Sequence, residues 1–262
     1  MLMRRHNGRT MKIGTVLVTG AGRGIGAAIA QACAAAGFDV ALNYAQDAAA
    51  ANAVAERVRA HGRRALVLQA DVSDEAQVQA MFARVDAEFG RIDALVNNAG
   101  IVARGARLEQ MTVERWRRVF DVNVIGTLLC TREAARRMST RHGGTGGAIV
   151  NLSSRAAQLG GPNQYVDYAA SKGAIDSLTS GLARELIAEG IRVNAVRPGI
   201  IDTDIHATTA LPELLGTAVS AIPMGRMGRM GRADEVAQAV VWLLSEASSY
   251  SVGVTIDVTG GR

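Results

Sequence analysis

Aromatic residues are scarce in this 262-residue chain, at 4%. Ala and Gly are abundant instead, so the fold must pack through close helix–sheet contacts between small side chains. There are two cysteines, Cys33 and Cys130, each inside an apolar helical pattern. Both read as buried small hydrophobes. The four histidines are isolated, so no metal-ligand spacing exists and no metal is expected. No uninterrupted apolar run approaches the ~20 residues a membrane helix needs, and no membrane partner is expected. A dense basic stripe is also lacking. The formal charge is +5, but arginines such as Arg57, Arg84, Arg117 and Arg136 are scattered over helical stretches without interleaved aromatics. Nucleic acid is therefore not an expected partner.

What remains is an alternation. Short β-branched runs at 15–20, 39–44, 64–72, 92–100, 146–154, 191–199 and 254–260 read as seven strands. Ala-rich stretches at 24–37, 48–62, 73–90, 112–139, 164–189 and 233–245 read as helices, with Ser73 as the N-cap of the third and a break near Gly126 in the fourth. Strands alternating with helices imply parallel pairing with helices on both faces: an α/β, Rossmann-type doubly wound, seven-stranded parallel sheet. The length suits one large domain or two small ones, and no linker divides the chain. Residues 1–11 read as a flexible extension, and 12–262 as a single dinucleotide-binding catalytic domain. The basic N-terminus followed by apolar residues mimics a signal peptide, but Gly20, Gly22, Arg23 and Gly24 interrupt it. A cytoplasmic location is expected. The run "MGRMGRMGR" at 224–232, with glycine every third residue, reads as a loop.

"TVLVTGAGRGIGAAIA" places Gly20, Gly24 and Gly26 between the first strand and the first helix. Glycines there let the backbone turn tightly and approach a pyrophosphate, which the helix N-terminus favours. An acidic residue at the end of the second strand would bind the ribose hydroxyls of NAD. That position is Asn43 or Tyr44, and neither is acidic; Asp47 comes a few residues late. Arg23 in the glycine loop is placed to meet an extra phosphate. NADP(H) is therefore the preferred cofactor, with NAD(H) possible.

In "YVDYAASK", Tyr168 and Lys172 stand at i and i+4 and share a helix face. Tyr165 has Ala169 at the corresponding position and no such partner. An ammonium beside a phenol lowers its pKa, and the pair can exchange a proton with an alcohol or carbonyl oxygen. "NLSS" ends the fifth strand, where open α/β sheets place their ligands, and offers Ser153 or Ser154 to such an oxygen. "DVNVIG" supplies Asn123, a polar residue in an apolar helical stretch and equally suited to a structural hydrogen bond.

These pieces resemble the short-chain dehydrogenase/reductase family in its single-domain branch. "TGAGRGIG", "ADVSD", "NNAG", "DVNVIG", "NLSS", "YAASK" and "RPGIIDT" occur in the family's order over roughly residues 13–262. The resemblance implies Tyr168 as general acid/base and Lys172 lowering its pKa and binding the nicotinamide ribose. It implies Ser154 polarising the substrate oxygen and Asn123 holding a water in a proton relay. It further implies Gly20, Arg23, Gly24, Ile25 and Gly26 around the cofactor phosphates, and Asp71 and Val72 at the adenine. Asn98, Ala99 and Gly100 would lie along its centre, with Pro198, Gly199, Ile201 and Thr203 at the nicotinamide amide. The substrate would be a small carbonyl or alcohol compound under a lid at about 200–230, and the assembly a homotetramer. The Ser154-to-Tyr168 spacing is one residue longer than the family's commonest, and "MGRMGRMGR" looks like the usual lid end with one triplet duplicated. A non-catalytic, redox-sensing dinucleotide binder of the same fold is the alternative.

Overall fold

The computed structural model describes residues 14–203, 222 and 228–262. Its first strand, β1 (Thr15–Val18), is buried along its whole length, as a run without polar alternation requires when both sheet faces are covered. Six more strands join it: β2 (Asp39–Tyr44), β3 (Ala65–Gln69), β4 (Ala94–Asn97), β5 (Gly147–Leu152), β6 (Ile191–Pro198) and β7 (Thr255–Val258). All pair in parallel, in the order β3-β2-β1-β4-β5-β6-β7. The order reverses between β1 and β4, where the connections leave in opposite directions and open a crevice at the strands' carboxyl ends.

Successive strand residues feed opposite faces. Val16, Val18, Val96 and Val150 pack with Ile29, Val54 and Val240 on one face. Leu17, Leu95 and Ile149 pack with Val78, Phe82 and Ala134 on the other. Helices α1 (Gly24–Ala35), α2 (Ala48–Ala60) and α3 (Glu75–Phe89) alternate with the first strands. Gly90 closes α3 in the left-handed conformation, at φ 73°. The N-cap of α3 is Asp74, whose carboxylate accepts from the Gln77 N–H at 3.1 Å. Ser73, the expected cap, instead donates its hydroxyl to Asp71 Oδ1 at 2.6 Å.

The expected long helix at 112–139 is three pieces: α4 (Val113–Phe120), a π-helical turn (Asp121–Ile125) and α5 (Gly126–Met138). The break thus falls just before Gly126, and its wide turn carries Asn123. A short helix, α6 (Ala156–Leu159), was not legible in the sequence. The expected helix at 164–189 is α7 (Val166–Leu186) with a 3-10 turn after it, and α8 (Ala233–Leu244) precedes β7. Several strands stop short of their expected ends; β4 stops at Asn97, so Asn98, Ala99 and Gly100 are already loop.

Residues 1–11, most of the expected lid at 200–230 and the first Met-Gly-Arg triplet lie outside the described residues. The third triplet, Met230–Arg232, lies in irregular backbone, and Gly231 forms an isolated bridge to Ile201. Among the described residues no helix is long and apolar enough to cross a membrane, and no group of His, Cys, Asp and Glu could hold a metal ion. Cys33 and Cys130 are free and buried.

Candidate active site

The carboxyl ends of β1, β2, β4, β5 and β6 open onto one cavity of about 890 Å³. Its first wall is the glycine turn. Gly20 and Gly24 have φ of 62° and 54°, the left-handed region that L side chains rarely adopt. A Cβ on Gly26 would stand 2.2 Å from the Gly20 carbonyl oxygen, so only glycine lets α1 start this close to the strand end. The turn is braced by two amides. The Asn43 side chain accepts from the Gly20 N–H at 3.2 Å and donates to the Ala70 carbonyl at 2.9 Å. Asn98 donates to the Thr19 and Gly20 carbonyls at 2.8 and 3.0 Å. Thr19, which no sequence motif singles out, fixes the other side: its hydroxyl accepts from the Asn98 and Ala99 N–H groups at 3.0 Å each. Arg23 is exposed on the cavity rim, and its guanidinium makes no hydrogen bond or ion pair among the described residues.

Tyr44, Asp71 and Val72 line the next stretch of wall. Asp47 is occupied elsewhere, accepting from the Ala50 N–H at 2.8 Å as the N-cap of α2. Burial by itself would raise the Asp71 pKa, but hydrogen bonds from Ser73 and the Arg118 guanidinium at 2.9 Å hold the carboxyl below its ordinary value. Arg118 on α4 was not anticipated as a site residue; it clamps the Asp71–Ser73 turn through both partners.

The third wall is the start of α7. Tyr168 and Lys172 share its cavity-facing side, as the i, i+4 spacing predicts, with the Lys172 ammonium 5.7 Å from the Tyr168 ring centre. Lys172 is buried and donates to the Leu152 carbonyl at 2.7 Å. Burial pushes its pKa down to about 8, with Asp176 opposing. Tyr168 is half-buried as a residue, but desolvation pushes its phenol up to about 12, against a lowering hydrogen bond from Ser154. Lys172 is not among the causes of that shift. The ammonium faces a backbone carbonyl, and desolvation outweighs any help it gives the phenolate. Ser154 is the serine at the cavity beside Tyr168. Ser153 also lines it, but is buried and spends its hydroxyl on the Lys172 carbonyl at 3.1 Å.

Asn123 stands behind this wall rather than in it. Its amide donates to the Ile101 carbonyl and the Ser171 hydroxyl at 3.0 Å each and accepts from the Ile101 N–H at 2.8 Å. Its donors are already spent on structural bonds, so the amide is a brace, and the expected relay water gets no donor from it. A Cβ on Gly100 would lie 3.4 Å from Asn123 Oδ1 and 3.5 Å from Lys172 Nζ, so all three meet at one point. Arg115 and Asp167 were missed as a pair. The guanidinium grips the buried carboxylate at 2.6 and 3.0 Å and donates to the Arg104 carbonyl at 2.6 Å. Asp167 in the first turn of α7 was the available signal, because a carboxylate there suits the helix dipole. Pro198, Gly199, Ile201 and Thr203 complete the cavity from the end of β6, Thr203 across from Gly24.

A glycine turn at the switch point of a doubly wound parallel sheet, facing a Tyr–Lys helix turn across one cavity, defines a dinucleotide-dependent α/β oxidoreductase. A family model described as enoyl-(acyl carrier protein) reductase matches residues 20–262. An uncharacterized oxidoreductase of Escherichia coli (strain K12), YgfF, is 53% identical over 246 residues, which cover 94% of this chain and 98% of that protein. The structure of a short-chain dehydrogenase from Burkholderia cenocepacia J2315 in complex with NADP superposes with a TM-score of 0.84 at 37% identity, covering 95% of this chain and 97% of that one. A 3-ketoacyl-(acyl-carrier-protein) reductase from Brucella melitensis complexed with NADH gives 0.87 at 34% identity, covering 97% and 99%. The chain belongs to the short-chain dehydrogenase/reductase family of NAD(P)-dependent oxidoreductases.

Proposed function

We propose that this chain is an NADP(H)-dependent oxidoreductase that moves a hydride between the nicotinamide and a carbonyl or secondary alcohol carbon of a small substrate. The observation that carries the reading is the convergence of Ser154, Tyr168 and Lys172 on the cavity that the glycine turn also lines. The cavity fits a dinucleotide: Gly20, Gly24 and Gly26 leave a cradle that a Cβ would fill or strain. The turn's backbone would hold the pyrophosphate, with Arg23, Ile25, Asn43 and Tyr44 around the adenosine phosphate and ribose. Asp71 and Val72 would flank the adenine, and Asn98, Ala99 and Gly100 the centre. Pro198, Gly199, Ile201 and Thr203 would hold the nicotinamide amide. The Arg23 guanidinium, free of partners among the described residues and with no acid at the end of β2, supports NADP(H) over NAD(H). When bound, the nicotinamide supplies or accepts the hydride.

The protein's own groups do the rest. Ser154 and Tyr168 would hold the substrate oxygen between two hydroxyls. With its pKa near 12 the Tyr168 phenol is protonated at neutral pH, so it is set to give its proton to that oxygen as a carbonyl is reduced. Lys172, charged below pH 8, would hold ribose hydroxyls and place a positive charge beside the developing phenolate. Asn123 positions the Ile101 backbone and Ser171 behind it. The test is a carbonyl and alcohol panel run with NADPH or NADP and, separately, with NADH or NAD. Turnover with the phosphorylated pair is the expected outcome. A preference of more than tenfold for NAD(H) would sink the reading of Arg23. Cofactor binding with no turnover anywhere, and no difference for Tyr168→Phe, would favour a redox-sensing binder.

A further inference from the structure

Arg115 on α4 and Asp167 on α7 form an ion pair largely out of water, with side-chain exposures of 15% and 3%. Guanidinium Nε and Nη2 donate to the two carboxylate oxygens at 2.6 and 3.0 Å. Such a pair is a weak source of stability, because desolvation of both charges offsets most of their attraction. What it supplies is direction, since the planar fork aims its donors at fixed angles. That direction is used at Tyr168. The first N–H groups of a helix have no intrahelical acceptor. The Tyr168 N–H donates at 2.9 Å to Asp167 Oδ1, the same oxygen that Arg115 Nη2 holds. The Tyr168 carbonyl is held as well: the Ser171 hydroxyl donates to it at 2.7 Å, and Asn123 donates to that hydroxyl. Both backbone groups of Tyr168 are thus fixed by side chains, and those are braced in turn from α4 and the π-helical turn.

The remaining guanidinium nitrogen reaches a second part of the cavity wall. Arg115 Nη1 donates to the Arg104 carbonyl at 2.6 Å. Two residues on, the Ala106 N–H donates at 2.8 Å to the carbonyl of Gln164, just before α7. Asn123 holds Ile101 at the start of the same segment. Val102 and Gly105 line the cavity from this segment, and Gln164 and Tyr168 line it from the start of α7. One guanidinium therefore joins the segment to the helix turn that carries the phenol. We propose that Arg115 and Asp167 are a positioning pair for the reaction, a role that rests on the hydride-transfer reading given above. They hold the Tyr168 backbone and so set where its phenol meets the substrate oxygen. Neither lines the cavity, so both act through Tyr168. Apolar residues of similar volume would fill the same space but leave the Tyr168 N–H and the Arg104 carbonyl without these partners.

Arg115→Lys tests it, because lysine keeps the charge but loses the fork. The assay uses a panel compound that the wild type reduces, with active sites counted by NADPH titration. In the variant, kcat per NADPH-binding site should fall about 10–100-fold, the usual cost of a slightly misplaced reacting group. The KM for NADPH should stay within about twofold, since the loss is confined to the reacting step. A pair that served stability alone would lower the melting temperature and the number of binding sites, with kcat per site within about twofold of wild type; that result overturns the proposal. If Arg115→Lys fails to fold, Asp167→Asn, which keeps an acceptor but loses the charge, is read in the same way. A second measurement needs no turnover: amide hydrogen exchange at residues 101–106 and 165–171 should be about tenfold faster in the variant. Unchanged exchange in both segments also overturns the proposal. Faster exchange, with no turnover of any panel compound by the wild type, would leave the clamp on Tyr168 standing and sink the hydride-transfer reading instead.

Discussion

Two tyrosines three residues apart differ in one respect that chemistry uses. Tyr168 has Lys172 a turn later and Ser154 beside it, whereas Tyr165 meets the Tyr168 ring edge to face at 5.9 Å between centroids. Tyr168→Phe is expected to lower kcat by about 10²–10⁴-fold, the usual worth of a positioned acid/base, while NADPH still binds by fluorescence titration. Tyr165→Phe should keep most activity; equal losses would mean the pocket is misread. Lys172 gives a second, thermodynamic test. Its pKa falls from 10.5 to about 8 on folding, which corresponds to about 3 kcal/mol. Below pH 8 the lysine is charged in both states and its burial destabilises the fold. From pH 8 to 10.5 the folded lysine is neutral while the unfolded one is still charged, so that cost is lifted as pH rises. Lys172→Met should therefore gain stability relative to wild type at pH 7 and lose the advantage by pH 10. Urea unfolding at both values reads this, and the comparison cancels the shifts of Cys33 and Cys130. A difference that does not change with pH would refute it.

Among the elements, the glycine turn and the π-helical turn show how a motif is made to work by its neighbours. A Gly26→Ala methyl would collide with the Gly20 carbonyl at 2.2 Å. Its relief should cost about 1–3 kcal/mol, as overpacking does, and weaken NADPH binding, both measurable by thermal unfolding with and without cofactor. Asp74→Ala should cost about 1 kcal/mol as the loss of a true N-cap, and Ser73→Ala less. The glycine turn was fully legible because its spacing is local. The cap was not, because Ser73 and Asp74 are both good caps and the choice depends on Asp71, which draws the serine hydroxyl away. Likewise Asn123 was visible as an odd polar residue, but its partners Ile101 and Ser171 lie 22 and 48 residues away.

Over the whole molecule, charge and apolar surface set two expectations. Arg23→Gln should lower the preference for NADP(H) over NAD(H) by about tenfold or more, since a hydrogen bond to a charged group is worth about 1.5–3 kcal/mol. An unchanged kcat/KM ratio for the two cofactors would place the discrimination elsewhere. A homotetramer is the expected assembly. Val113, Phe120 and Ile125 stand exposed on α4 and the π-helical turn, as do Trp242 on α8 and Tyr250 and Val254 before β7, and assembly would cover such side chains. Sedimentation velocity should give a single tetrameric species, and a monomer at micromolar concentration would overturn that expectation.

By itself the sequence determined the alternation of seven strands with helices, the glycine turn, and the Tyr168–Lys172 pairing, because each is written in spacings shorter than one helix. Tertiary structure alone decided that Ser153 spends its hydroxyl on the Lys172 carbonyl, that Arg115 and Arg118 hold α7 and the Asp71 turn, and that desolvation raises Tyr168 while lowering Lys172. Those outcomes turn on burial and on partners tens of residues apart, and neither is defined until the sheet has brought its strand ends together.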